Sequence, residues 1–188
     1  MTAATYVLVH GGWAGGWQFK QIEHHLRKAG HTVYRPSLTG HAERVHLASP
    51  EVGLDTHIDD ILNLFKYEEL DDVILLGYSY SGMVITGVAE AIPQHIRHLV
   101  YLDAFIPKDG QSLGDLVGPE VMQHLQQAVD THGDGWRIPP DPTHMPLSND
   151  HLSKTGMQPV TINNPQAAAL PRTFIHCTVE QAEPDPIL

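Results

Sequence analysis

The chain has 188 residues and carries 22 acidic against 11 basic side chains, a formal net charge of −11. Its length suits one folded domain, and 41% hydrophobic with 18% charged residues is the balance of a soluble chain with a real core. The acidity and the lack of any basic run exclude nucleic acid and anionic membrane as expected partners, and the single cysteine, Cys177, excludes an intrachain disulfide.

The opening stretch MTAATYVLVHGG has neither a basic lead nor a long apolar run, so no signal peptide or membrane span is expected and the cytoplasm is the default compartment. Tyr6–His10 is a short apolar run stopped by Gly11 and Gly12, and reads as a buried strand. From Trp17 to Ala29 the spacing is helical, with Trp17, Ile22 and Leu26 on one face and Gly30 as the stop. Residues 31–36 (HTVYRP) read as a second strand, and 38–53 as a loop. Asp55 or Thr56 caps a helix whose apolar stripe holds Ile58, Ile61, Leu62 and Phe65. Val73–Leu76 is four aliphatics in a row, the mark of a central strand. Ser81–Ala91 is a small, apolar helix, and Leu99–Asp103 the next strand.

Strand and helix thus alternate through the first 103 residues, which implies a parallel sheet with helices on both faces. Residues 107–170 are rich in Pro, Gly, Gln, His and Asp, with one expected helix over 119–129. They read as a cap insertion over the sheet within a single domain 1–188, whose core is 5–106 and 171–178. Residues 172–178 (RTFIHCT) form one more expected strand, and no repeat is present. The 14 histidines are scattered without metal-ligand spacing, so no metal is expected, and their number is a source of pH sensitivity, since an ordinary imidazole changes charge near pH ~6.5.

In an open parallel sheet, sites form at the carboxyl ends of the strands. Three features stand there: His10-Gly11-Gly12-Trp13, the turn around Ser79, and Asp103. A serine becomes a useful nucleophile when a tight strand-to-helix elbow holds its hydroxyl clear of the backbone, and the residues two before and two after must be small. Gly77 meets the first requirement. Ser81 holds the second position, so G-x-S-x-S replaces the usual G-x-S-x-G, with Gly82 next. Ser81 falls in the first helical turn and reads as a packing or capping residue. The elbow also sets Ser79 at a helix N-terminus, where free N–H groups favour a developing oxyanion. One oxyanion donor is then the amide of Tyr80. The other is expected from the glycine loop after the first strand, with Gly12 the choice.

The stretches YVLVHGGWAGGWQF, LTGHAERVHLASPEVGLDTHIDDI, GYSYSGMVITGVAE and LVYLDAFIPKDGQS resemble a bacterial esterase branch of the α/β-hydrolase superfamily, similar to plant methyl-ester esterases and hydroxynitrile lyases. The likeness covers residues 5–113 closely and resumes at LPRTFIHCT. It implies an α/β-hydrolase fold, Ser79 as nucleophile, and Gly12 and Tyr80 as oxyanion hole. Relatives place the acid after either of two strands, at Asp103 or at Glu180. Asp103 is favoured, because a short carboxylate at a strand end is rigidly held. The histidine base of the relatives lies in a later strand–loop–helix segment that has no counterpart before residue 188, so the domain is expected to be C-terminally shortened, with an exposed sheet edge open to homodimerisation. His10 is expected to orient its loop, His176 to lie within a strand, and His124, His132, His144 and His151 to be solvated.

The expected activity is serine-dependent hydrolysis of small carboxylic esters through an acyl-enzyme, with no metal or organic cofactor. Trp13, Tyr78, Phe105, with Tyr80 and Trp136, are expected to line an apolar pocket for a small-molecule ester. A non-catalytic ligand-binding homologue is the alternative. A hydroxynitrile lyase is a further one, weakened by Gly11 where lyases carry a threonine.

Overall fold

Burial on both faces is what turns short aliphatic runs into central strands, and the runs in residues 5–9 and 73–78 lie at the middle of a five-stranded sheet here. The computed structural model describes residues 3–141, 143 and 146–178. β1 (Thr5–Val9), β2 (Thr32–Tyr34), β3 (Val73–Tyr78), β4 (Ile96–Leu102) and β7 (Arg172–Ile175) form a parallel sheet in the order β2-β1-β3-β4-β7. Side chains alternate across it. On one face Val7, Val9, Val73 and Leu75 pack against α2 (Leu54–Tyr67) and α3 (Ser81–Ala91). On the other, Leu8, Val33 and Phe19 form a smaller cluster with Leu26 of α1 (Lys20–Lys28).

α3 is apolar all round because it is enclosed all round: every residue from Ser81 to Ala89 is buried. Gly87 lets α2 approach, since a Cβ there would stand 2.3 Å from Cδ1 of Ile58. The buried hydroxyl of Thr86 pairs with Tyr101 Oη at 2.9 Å, so neither is left unsatisfied.

Several boundaries differ from the sequence reading. Gly16–Phe19 is a 3-10 turn, and α1 starts only at Lys20. The turn is pinned where a Cβ on Gly16 would lie 2.1 Å from the Arg35 carbonyl oxygen. Gly53, not Asp55, caps α2, and the Thr56 hydroxyl accepts from the Gly53 N–H at 3.3 Å. β7 ends at Ile175, which leaves His176 beyond the strand.

The stretch 107–170 holds more structure than its composition suggests: α4 (Leu113–Val117), α5 (Pro119–His132), an antiparallel pair β5 (Arg137–Ile138) and β6 (His151–Leu152), α6 (Ser153–Met157) and α7 (Pro165–Ala168). It is tied to the first loop: Trp13 Nε1–H donates to Ile138 O at 2.9 Å, and Asn149 N–H donates to Trp13 O at 3.0 Å. Among the described residues no helix is long and apolar enough to cross a membrane.

α3 meets the 103–106 turn through Gly82, where a Cβ would sit 1.9 Å from the Phe105 carbonyl oxygen. Gly82→Ala is therefore expected to cost about 3 kcal/mol by overpacking, read as a lower urea midpoint at unchanged m-value. A loss below about 0.5 kcal/mol would show that the contact can relax.

Candidate active site

β3 delivers its backbone into α3 through two residues, Ser79 and Tyr80. Ser79 sits at φ 52, a left-handed conformation that costs a non-glycine residue energy. Backbone bonds on both sides hold it there. Ser79 N–H donates to Leu102 O at 3.3 Å, and the amides of Gly82 and Phe105 both donate to Ser79 O at 3.1 Å. Gly77 is required because a Cβ would stand 2.5 Å from the Ser81 carbonyl oxygen. Ser81 fits the position usually held by glycine, since its buried hydroxyl donates to the carbonyl of His10. The departure from G-x-S-x-G is thus a bolt between the elbow and the first loop.

That loop passes close by: a Cβ on Gly11 would lie 3.2 Å from Cβ of Ser79. Tyr80 precedes the helical bonds of α3, so its amide is one of the orphan donors of a helix start. Beside the elbow opens a small hollow, partly open to solvent, lined by Trp13, Ser79, Tyr80, Phe105 and His151 together with apolar side chains of the insertion, Met122 and Leu125 among them. Trp13 and Phe105, expected at a substrate pocket, are both in this lining. Tyr78 is not: it packs on the opposite sheet face with Leu8, Phe19 and Val33, because side chains alternate along β3. Trp136 is also outside the hollow, with Arg137 over its ring.

Asp103 ends β4 at φ 43, and its N–H donates to Ile175 O at 2.7 Å. Its Oδ1 lies 3.0 Å from Nδ1 of His176. Since β3, β4 and β7 are neighbours, Ser79, Asp103 and His176 follow one another along the carboxyl edge of the sheet. Asp103 does not line the hollow. Glu180 and His144 lie outside the described residues.

The largest departure concerns the histidines. His10, His41 and His57 are 0% exposed and His151 is 3% exposed, and the four come from four separate segments. His41 packs on the other three with ring centroids 5.4, 5.3 and 5.2 Å away. His10 Nε2 accepts from Leu38 N–H at 3.0 Å, which leaves Nδ1–H to donate to Gly11 O at 2.8 Å. His57 Nε2–H donates to Thr39 O at 3.0 Å, so Nδ1 accepts the Tyr80 hydroxyl at 2.9 Å. His41 Nε2 and His151 Nδ1 share a hydrogen bond of 3.0 Å, and His151 Nε2 lies 2.9 Å from Thr155 Oγ1.

These bonds fit neutral rings. A second proton on His10 would point at the Leu38 N–H. Burial, with His41 nearby, pushes the pKa of His10 down to about 3, and burial pushes that of His41 down to about 4. Burial and the neighbouring imidazoles hold His57 and His151 well below the usual range. Despite the four rings, no group of His, Cys, Asp and Glu among the described residues has metal-holding geometry. His151, expected in solvent, is a buried wall of the hollow with both ring nitrogens engaged. His57 was legible after all, since it falls on the buried α2 stripe with Leu54, Ile61 and Phe65.

The sequence profile of the alpha/beta hydrolase family matches residues 6–183. The carbendazim hydrolyzing esterase of Nocardioides sp. (strain SG-4G) is 57% identical over 110 residues, 58% of this chain and 46% of that protein. The alpha-hydroxynitrile lyase of Arabidopsis thaliana is 30% identical over 103 residues, 54% of this chain and 40% of that protein. The chain thus spans about half the length of the curated relatives it matches, or less. An extracellular alpha/beta-hydrolase from a Paenibacillus species, described as sharing structural and functional homology with tobacco salicylic acid binding protein 2, superposes with a TM-score of 0.77 at 26% identity, covering 91% of this chain and 76% of that one.

An imidazole with a depressed pKa in the folded state is protonated first in the unfolded chain. Stability is full above about pH 6.5 and falls as pH drops toward the folded values, by up to about 1.4 kcal/mol per pH unit for each such histidine. Urea unfolding between pH 6.5 and 5.5 is expected to show this decline, and His57→Gln to flatten it by about one proton's worth. A profile flat over that window would refute the neutral cluster.

Proposed function

The chain belongs to the alpha/beta hydrolase family, and on that premise we propose that it is a serine-dependent hydrolase of small carboxylic esters working through an acyl-enzyme. One observation carries the reading: Ser79, at φ 52 on a strand-to-helix elbow, opens onto an apolar hollow beside a glycine loop. In this reading the Ser79 oxygen attacks the acyl carbon, and the amides of Tyr80 and Gly12 receive the oxyanion. The hydroxyl proton passes through a base to the departing alkoxide, and water then releases the acid. Asp103 is the proposed acid. It orients the imidazole of His176 through Nδ1, which leaves Nε2 to take a proton. Trp13, Phe105 and the insertion's apolar side chains suit a hydrophobic ester. Likeness to an esterase that hydrolyses carbendazim makes that compound the first to assay.

A second reading, ligand binding without turnover, is favoured by His151: it is the histidine of the hollow, and neither of its nitrogens is turned to Ser79. The two readings part on one experiment. A fluorophosphonate probe is expected to label the protein at Ser79, and Ser79→Ala to abolish labelling and lower p-nitrophenyl acetate turnover by at least about 10³-fold. Labelling that survives Ser79→Ala would overturn the assignment. Ligand binding with no labelling of the parent protein would favour the second reading.

A further inference from the structure

We infer that the buried imidazole cluster is the scaffold of the oxyanion hole, and that His151, supplied by the insertion, is a positioning residue for the Gly12 and Tyr80 amides. The inference rests on the serine-hydrolase reading for its catalytic consequence, but its geometry stands alone. A Cβ on Gly12 would lie 3.5 Å from Cδ2 and Cγ and 3.6 Å from Nδ1 of His151. The imidazole thus stands within van der Waals distance of the space that a Cβ on Gly12 would take, and flanks the loop there. The same ring meets the Tyr80 ring edge-on, centroids 4.8 Å apart, and Trp13 at 5.4 Å. One side chain therefore touches the residues on both sides of the hole.

Its own position is fixed at both ends. Nδ1 is tied to His41 at 3.0 Å and Nε2 to Thr155 at 2.9 Å. Thr155 is 0% exposed, and its hydroxyl also reaches Leu152 O at 2.6 Å. His41 in turn packs against His10 and His57, and His57 clasps the Tyr80 hydroxyl at 2.9 Å. Ser81 holds the carbonyl of His10, the residue two before Gly12. A phenylalanine at 151 would fill a similar volume yet remove one hydrogen-bond partner from each of His41 and Thr155. Neither nitrogen is turned to Ser79, so the contribution of His151 is placement and not proton transfer. The hole is complete only when the insertion is docked on the core.

Two readouts test this. In His151→Ala and in Thr155→Val, amide hydrogen exchange over residues 11–13 is expected to quicken at least about 10-fold, a readout that needs no turnover. kcat for p-nitrophenyl acetate should fall about 10- to 100-fold in His151→Ala with KM within about 3-fold, because a small misplacement of a donor is costly in the transition state. His151→Gln, which keeps a polar contact, should recover part of it, and the pH–rate profile should keep its shape. Thr155→Val keeps the test open if His151→Ala fails to fold. Unchanged exchange in a folded variant overturns the inference whatever the rates. A pH–rate profile that loses a limb overturns it too, by making His151 the base. Absence of Ser79 labelling in the parent would instead fail the hydrolase reading and leave the exchange result to decide this one.

Discussion

Everything at this site depends on one backbone strain being held in place. Ser79 keeps φ 52 because its amide and its carbonyl are each bonded to backbone from neighbouring segments, and because Gly77 and Gly82 remove the atoms that would push those segments apart. A strained residue persists where its surroundings over-determine it. Strand β3 and helix α3 contribute to one core, and Ala104 and Phe105 of the turn after β4 pack against it, so relaxing the elbow would mean unpacking that core. The hydroxyl is presented by rigid elements and not by a loop, which is what a reaction that tolerates little misplacement requires.

A polar network of this size is an unusual thing to bury. Four imidazoles, a phenol and the Thr155 hydroxyl are withdrawn from water next to the elbow, and each such group costs free energy unless its bonds are remade. For two of the rings the pattern is fixed: His10 donates from Nδ1 and His57 from Nε2, and both rings stay neutral. A hydrophobic cluster of equal volume would have packed with less risk, but it would not fix direction. Hydrogen bonds with assigned donors set the rotation of each ring, and through Tyr80 and Gly12 they set the walls of the hollow.

How much of this was readable in advance follows from the range of each interaction. Central strands announce themselves because burial on both faces demands aliphatics, and Val73–Leu76 meets that demand locally. β4 begins three residues before its aliphatic part, since Arg97 and His98 lie at an edge where charge is tolerated. Tyr78, expected in the pocket, faces the other side of the sheet, because the alternation that buries Gly77 toward α3 turns Tyr78 the other way. The short helices α4, α6 and α7 span five residues or fewer, too few to show a 3.6-residue period. His151 was beyond reach for a different reason. Its partner His41 lies 110 positions earlier, so no local pattern marks it as buried.

That separation also says something about how the site is put together. The hollow takes Ser79 and Tyr80 from the sheet, Trp13 from the first loop, and its outer wall from the insertion. Those parts are joined by directional links, among them Trp13 to Ile138, Asn149 to Trp13, and His41 to His151. Each link ends on, or next to, a residue that bounds the hollow. Docking of the insertion and shaping of the cavity are therefore one event and not two. It follows that drift in the insertion's surface helices is tolerable in a way that drift at Ile138 and residues 149–155 is not, since those residues are bonded to the first loop and the histidine cluster beside the serine.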